Sequence, residues 1–369
     1  MKSNGNVFIG VDINEIDTPA LLLDLDILEA NIAKMADFFK GVKAELRPHV
    51  KTHKTPIISH KQIEAGAIGM TCAKLSEAEV MVYSGIRDIL IANQIVGRQK
   101  IARLVNLAKH ADMMVAVDNP QNVDDLSAAA MTKGVILRIL IEVDTGLNRC
   151  GVETGEAVLN LAQQISQADG LSFAGLMGYE GHCVMIQNRA ERERETLKSV
   201  QILVDMKHLL EENGFPVEIM SGGGTGTYDI TGSHTEMTEI QAGSYATMDT
   251  QYRSIEGIGD TFDCALSILT TVISCPQPDR IVTDAGMKVM TQEFEPPQPK
   301  NIIGLELVSL SEEHGKFKAD ASVNLKVGDK FGILPTHGCT TINLHDKFYC
   351  VRNGKLECVW EISARGKSQ

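Results

Sequence analysis

From residue 17 onward, short apolar runs alternate with longer stretches in which apolar residues recur at helical spacing. Read as strands, the apolar runs are 44–51, 69–73, 88–93, 113–118, 137–144, 173–179, 218–221 and 238–242. Segments of helical period lie between them at 57–65, 74–84, 98–109, 120–133, 154–167 and 189–213. The run Leu137-Arg138-Ile139-Leu140-Ile141 is almost continuously apolar, as expected of a strand covered on both faces in a parallel sheet. Eight strand–helix repeats predict an α/β fold, a (β/α)8 barrel of the TIM type. An open doubly wound sheet more often stops at about five to seven strands. The weakest repeat is the last, because 222–235 is short for a full crossover.

After residue 249 the pattern changes to strand-like runs separated by turn signals, at 266–273, 280–284, 330–334, 348–352 and 357–362. Glu295-Pro296-Pro297-Gln298-Pro299-Lys300 and Asn353-Gly354 are among the turns. A second, mainly β domain is therefore expected over 256–369, with the barrel over 18–255. The apolar run 7–11 is expected to add a strand to it, so that residues 1–17 join the β domain.

Composition narrows the classes. The 369 residues are 43% hydrophobic, enough for a large core and about two domains. A formal net charge of -13 makes the surface repel phosphate backbones and argues against nucleic acid. The eight cysteines are scattered, without a CxxC pair, which suits free thiols in a reducing cytoplasm. No apolar run reaches the ~18 residues of a membrane helix, and the N-terminal residues lack the apolar segment of a signal peptide. A cytoplasmic protein without a membrane segment is expected.

In a barrel of this kind, chemistry gathers at the C-terminal ends of the strands. The first of these ends is dense in cations: Leu46-Arg47-Pro48-His49-Val50-Lys51-Thr52-His53-Lys54 holds five in nine residues. Strand alternation would turn Arg47, His49 and Lys51 to one face, where crowding would lower the pKa of Lys51 and make it a nucleophilic amine. A solvated edge strand would carry the same charges. Lys54 falls beyond the strand and reads as a loop or helix-start charge.

Ser221-Gly222-Gly223-Gly224-Thr225-Gly226 follows the seventh strand, and Ala242-Gly243-Ser244-Tyr245 the eighth. Missing side chains expose backbone N–H groups and hydroxyls add donors, the chemistry of an anion cradle; flexible turns are the alternative. Barrels frequently bind phosphate at these two loops. A lysine facing such a cradle points to pyridoxal 5′-phosphate held as a Schiff base on Lys51, with Tyr179 and Asn93 placed to contact ring or substrate. In the β domain, His337 and Cys339 stand two apart, so an extended chain would turn both to one face for a divalent ion.

Together these pieces resemble the D-threonine aldolase and D-serine dehydratase family, fold-type III pyridoxal-phosphate enzymes that join an alanine-racemase-like barrel to a β domain. Beyond the stretches already quoted, the resemblance rests on Asp17-Thr18-Pro19-Ala20-Leu21, Glu142-Val143-Asp144, Arg149-Cys150-Gly151-Val152, Asp284-Ala285-Gly286 and Val359-Trp360-Glu361-Ile362-Ser363-Ala364-Arg365-Gly366. It implies Lys51 as the cofactor lysine; His49 on the same strand face, and Tyr179 and Arg149 at other strand ends, are the further catalytic candidates. It implies Gly223, Gly224, Thr225, Gly243, Ser244 and Tyr245 as cofactor-binding residues, to which the start of the first Gly-rich loop adds Ser221. His337 and Cys339 are implied as ligands of a catalytic zinc, manganese or magnesium ion, the thiolate favouring zinc. A homodimer acting on a small D-amino acid is also implied. Aldolases of the family tend to carry Asp where this chain has Cys339, and dehydratases carry Cys, whereas Asn343-Leu344-His345-Asp346 and the ending Trp360–Gly366 resemble the aldolase branch. The longer match favours an aldolase that cleaves D-3-hydroxy amino acids to glycine and an aldehyde. A D-serine or D-3-hydroxyaspartate dehydratase is the alternative. A non-catalytic pyridoxal-phosphate carrier would be a single domain and would lack the HxC pair.

Overall fold

The computed structural model describes residues 9–369. Eight parallel strands form as expected: Glu45–Leu46, Met70–Cys72, Asp88–Gln94, Asp112–Val117, Leu137–Glu142, Leu171–Met177, Ile219–Gly222 and Glu239–Ile240. Each pairs with its sequence neighbour from the second to the eighth, and the eighth pairs with the first through Glu45↔Glu239 and Leu46↔Ile240. The seam between the first and second strands is closed by a parallel bridge, His49↔Thr71, and by hydrogen bonds from Val50 N–H to Thr71 O at 2.8 Å and Thr71 N–H to Pro48 O at 2.9 Å. The curled sheet is thus a (β/α)8 barrel. Its wall is lined inside by Leu90, Met114, Leu140 and Met177, while Ile91, Val115 and Ile141 pack outward on the helices. Buried on both faces, these strands read as unbroken apolar runs.

The first strand is shorter than its sequence suggests. Regular pairing ends at Leu46, Pro48 has no N–H to donate, and the chain turns at residues 50–53. Between the seventh and eighth strands, the short connection holds a single helical turn, Tyr228–Thr231.

A second sheet of nine strands stacks beside the barrel. Leu266–Gln277 pairs with Arg280–Thr283, and Lys347–Arg352 with Lys355–Glu361. Lys330–Leu334 pairs with both Leu266–Gln277 and Gln298–Pro299. Leu305–Leu310 and Gly315–Ala319 form an additional hairpin at its edge. Ala20–Asp24 also lies in this sheet, antiparallel to Leu266–Gln277 and parallel to Lys347–Arg352, although the sequence reading assigned residues from 18 onward to the barrel. Of the run 7–11, Val7 and Phe8 lie outside the described residues. Beyond them Gly10 N–H donates to Leu356 O at 2.8 Å, and Leu356 N–H to Val11 O at 2.9 Å. One apolar core joins the two parts, running from Leu21 and Leu28 through Tyr245 and Phe262 to Leu266, Ile333 and Phe348. Among the described residues, no helix is long and apolar enough to cross a membrane.

Candidate active site

The turn at 50–53 aims Lys51 into a cavity of about 270 Å³ at the C-terminal mouth of the barrel. The cavity wall includes His49, Tyr179, Arg149, Gly223, Gly224, Thr225, Gly243 and Ser244, side chains or loops drawn from the first, sixth, fifth, seventh and eighth repeats. Ser221 and Tyr245, also expected there, do not line it. Ser221 Oγ accepts a hydrogen bond from Gln241 Nε2 at 2.9 Å, and the Tyr245 hydroxyl accepts one from Gln62 Nε2 at 2.8 Å.

The cations of the first strand end separate into three environments. Arg47 is 2% exposed and points away from Lys51, pairing with Glu239 (Nη2–Oε1 2.7 Å) and with Asp88. Gly69 makes room for it, since a Cβ there would stand 2.3 Å from Arg47 Nη1. Lys54 lies beyond the strand, two residues before the helix Pro56–Glu64. It is 9% exposed and ion-paired with Glu77, which is 1% exposed and also accepts the Ala73 N–H at 2.8 Å. It is therefore a helix-start charge, as expected, but a buried and paired one. His49 Nδ1 accepts the Lys51 N–H at 3.4 Å. Burial, and then the nearby Lys51 and Lys54, hold His49 well below its usual pKa, so it is neutral at physiological pH.

Tyr179 shares its ring between two cations, with Lys51 Nζ 5.9 Å and Arg149 Cζ 5.7 Å from the centroid. Burial raises its phenol pKa, so the hydroxyl keeps its proton. The nearest carboxylate to Arg149 is that of Glu142, at 4.0 Å, itself raised in pKa by burial and bonded to Gln94.

The two Gly-rich loops fit a phosphate. Thr225, Gly243 and Ser244 donate no backbone hydrogen bond to another described residue, and all three line the cavity. A Cβ at Gly243 would meet His49 O at 2.6 Å, so only glycine allows this loop to touch the end of the first strand. Thr225 Oγ1 accepts the Tyr245 N–H at 3.0 Å and fastens one loop to the other.

His337 and Cys339 come to the same mouth from the second domain. The geometry differs from the extended chain expected: His337 is the N-cap of a short helix, Gly338–Ile342, and Cys339 lies in its first turn. The Cys339 thiol donates to Thr52 Oγ1 at 3.4 Å, one residue from Lys51. Asp249 stands 3.4 Å from His337 Nδ1 and accepts the Gly338 N–H at 2.9 Å. Burial opposes charge on His337, but Asp249 and Cys339 prevail and push its pKa up to about 10. Burial likewise opposes the Cys339 thiolate, and His337 followed by Lys51 lowers its pKa nonetheless. His337 Nδ1 is buried without a hydrogen-bond partner among the described residues, and imidazole with thiolate is a donor set suited to a zinc-class ion. Among the described residues, one trio of ligating side chains lies close together, Asp118, Glu142 and Cys150, but Gln94 already donates to both of its carboxylates.

Asp249 and Tyr252, which also lines the cavity, were not singled out from sequence. Both belong to the short segment joining the domains, where Asp249 Oδ1 caps Thr250–Arg253 by accepting the Tyr252 N–H at 2.9 Å. The available signal was an acid followed by a helical turn, which is common at any helix start.

Residues 23–251 match the family model of the alanine racemase N-terminal domain, and 265–351 that of a putative serine dehydratase domain. The chain is 40% identical to a D-threonine aldolase of Arthrobacter sp over 98% of this chain and 96% of that protein. It is 39% identical to a 3-hydroxy-D-aspartate aldolase of Paracoccus denitrificans, covering 97% of this chain and 94% of that one. A crystal structure of D-threonine aldolase from Filomicrobium marinum superposes with a TM-score of 0.95 at 38% identity, covering 98% of this chain and 99% of that one. Dehydratases stand further off, at 30% identity or less. With both halves of the chain matched and relatives of about 40% identity covered almost end to end, the chain belongs to the D-threonine aldolase and D-serine dehydratase family of fold-type III pyridoxal-phosphate enzymes.

Proposed function

We propose that this protein is a carbon–carbon lyase that cleaves D-3-hydroxy amino acids of the D-threonine type to glycine and an aldehyde, using pyridoxal phosphate and a divalent ion. The near full-length likeness to D-threonine aldolase carries the reading. Lys51 Nζ, at the cavity, is the amine that would hold the cofactor through its aldehyde. The N–H groups of Thr225, Gly243 and Ser244, which have no acceptor among the described residues, would hold its phosphate. When bound, the cofactor ring takes up the electron pair released as Cα–Cβ breaks. Neutral His49 packs beside Lys51 without adding charge. Arg149, with Glu142 no closer than 4.0 Å, offers its guanidinium to the substrate carboxylate. Tyr179 keeps its proton and lines the cavity, so its hydroxyl would be a donor to a bound molecule.

His337 and Cys339 are the residues that would hold a zinc, manganese or magnesium ion. Such an ion supplies Lewis acidity toward the β-hydroxyl. Treatment with a strong chelator should remove activity, and zinc or manganese should restore it. Full turnover by metal-free protein would end the role assigned to His337 and Cys339.

Cys339 favours a second reading, a dehydratase of D-serine or D-3-hydroxyaspartate. Product analysis separates the two. Glycine plus an aldehyde from D-threonine is the expected result, whereas a 2-oxo acid plus ammonia from D-serine would establish the dehydratase. A cytoplasmic homodimer belongs to the same proposal, and light scattering on the purified protein measures its size.

A further inference from the structure

We propose that Glu180 is a positioning residue that shapes the phosphate loop and locks it to Tyr179; this rests on reading the loops at 223–225 and 243–244 as the cofactor's phosphate cradle. Glu180 is 2% exposed and follows Tyr179 directly in the chain. Its Oε2 accepts the Gly223 N–H at 3.2 Å. Its Oε1 accepts the hydroxyls of Thr227, at 2.8 Å, and Thr231. Thr227 Oγ1 in turn accepts the Gly224 N–H at 3.1 Å.

Charge alone would keep an acid away from an anion site, because like charges repel strongly at low dielectric. Its hydrogen bonds give it a different purpose. Glu180 takes the Gly223 N–H itself and, through Thr227, the Gly224 N–H, so these two donors are turned inward and satisfied. Gly223 has φ +75, and the loop reverses there, so that the next N–H, on Thr225, is left without a protein acceptor at the cavity. A Cβ at Gly226 would strike Val184 O at 2.0 Å, so the loop also packs tightly on the segment that follows Glu180. One carboxylate thus decides which of three consecutive N–H groups meets the phosphate. It also ties that choice to the residue whose ring faces Lys51.

Glu180→Gln preserves volume but sets an amide NH2 against groups that already donate. The test uses the full chain stripped of cofactor and titrated separately with pyridoxal phosphate and with pyridoxal, each followed by visible absorbance. The unaltered protein is expected to prefer the phosphorylated form. Glu180→Gln should lose roughly 10- to 100-fold of that preference, with pyridoxal affinity changed by no more than about twofold. Should the unaltered protein show no preference, the cradle reading itself fails, and the role of Glu180 with it. A preference retained in Glu180→Gln, or equal losses for both ligands, overturns the positioning role alone. If Glu180→Gln does not fold, Thr231→Val removes a single donor and should cost roughly 3- to 10-fold of the preference. An unchanged preference in that variant also overturns the proposal.

Discussion

Lys51→Ala is expected to abolish the visible absorbance of bound cofactor and to lower kcat/KM for D-threonine by at least about a thousandfold. The variant should fold, because the Lys51 side chain faces a cavity and forms no ion pair with the described residues. No other amine on this strand end is free to replace it. Lys54 is buried against Glu77, and its backbone carbonyl accepts the Ala364 N–H at 2.9 Å, which fixes that residue in place. An undiminished absorbance band in folded Lys51→Ala would reject the lysine assignment and the cofactor site with it.

The second large effect concerns stability. Arg47→Ala should cost about 3–5 kcal/mol, because it strands Glu239, which is 4% exposed, without its counter-charge. Burial opposes the Arg47 charge, yet Glu239 and Asp88 raise its pKa further, so the guanidinium is held charged within the barrel. Converting both partners, Arg47→Met with Glu239→Gln, should recover a large part of the loss, since breaking an ion pair is costlier than replacing it. Chemical denaturation midpoints report the difference. A cost below about 1 kcal/mol for Arg47→Ala would mean that the pair contributes little.

The eight strands were legible because each repeat carries its own period, and hydrophobic spacing is a local property. Lys51 was legible for a related reason, as it ends a strand in a fold whose chemistry sits at strand ends. Arg47 was not, because its partners are 41 and 192 residues away and local alternation grouped it with Lys51. The place of Lys54 before a helix was legible, but its burial was not, since that depends on Glu77 in the next repeat. The HxC pair was found, but its geometry was misread: the N-cap at His337 starts a helix that Asp249, from the other side of the second sheet's sequence, holds in place. The hairpin of Leu305–Leu310 and Gly315–Ala319 was available, since Leu305, Leu307, Phe317 and Ala319 alternate with exposed polar residues, but its runs are short and the exposed Val308 breaks the period.

Ala20–Asp24 precedes the barrel in the chain yet pairs with strands that follow it. On the ribosome, Leu21, Leu22 and Leu23 therefore emerge long before Leu266–Gln277 can cover them, and the barrel is translated inside an unfinished sheet. During that interval the nascent chain carries an apolar strand with open edges, the kind of surface that recruits chaperones or self-associates. A fragment ending at the last barrel strand would keep that liability permanently.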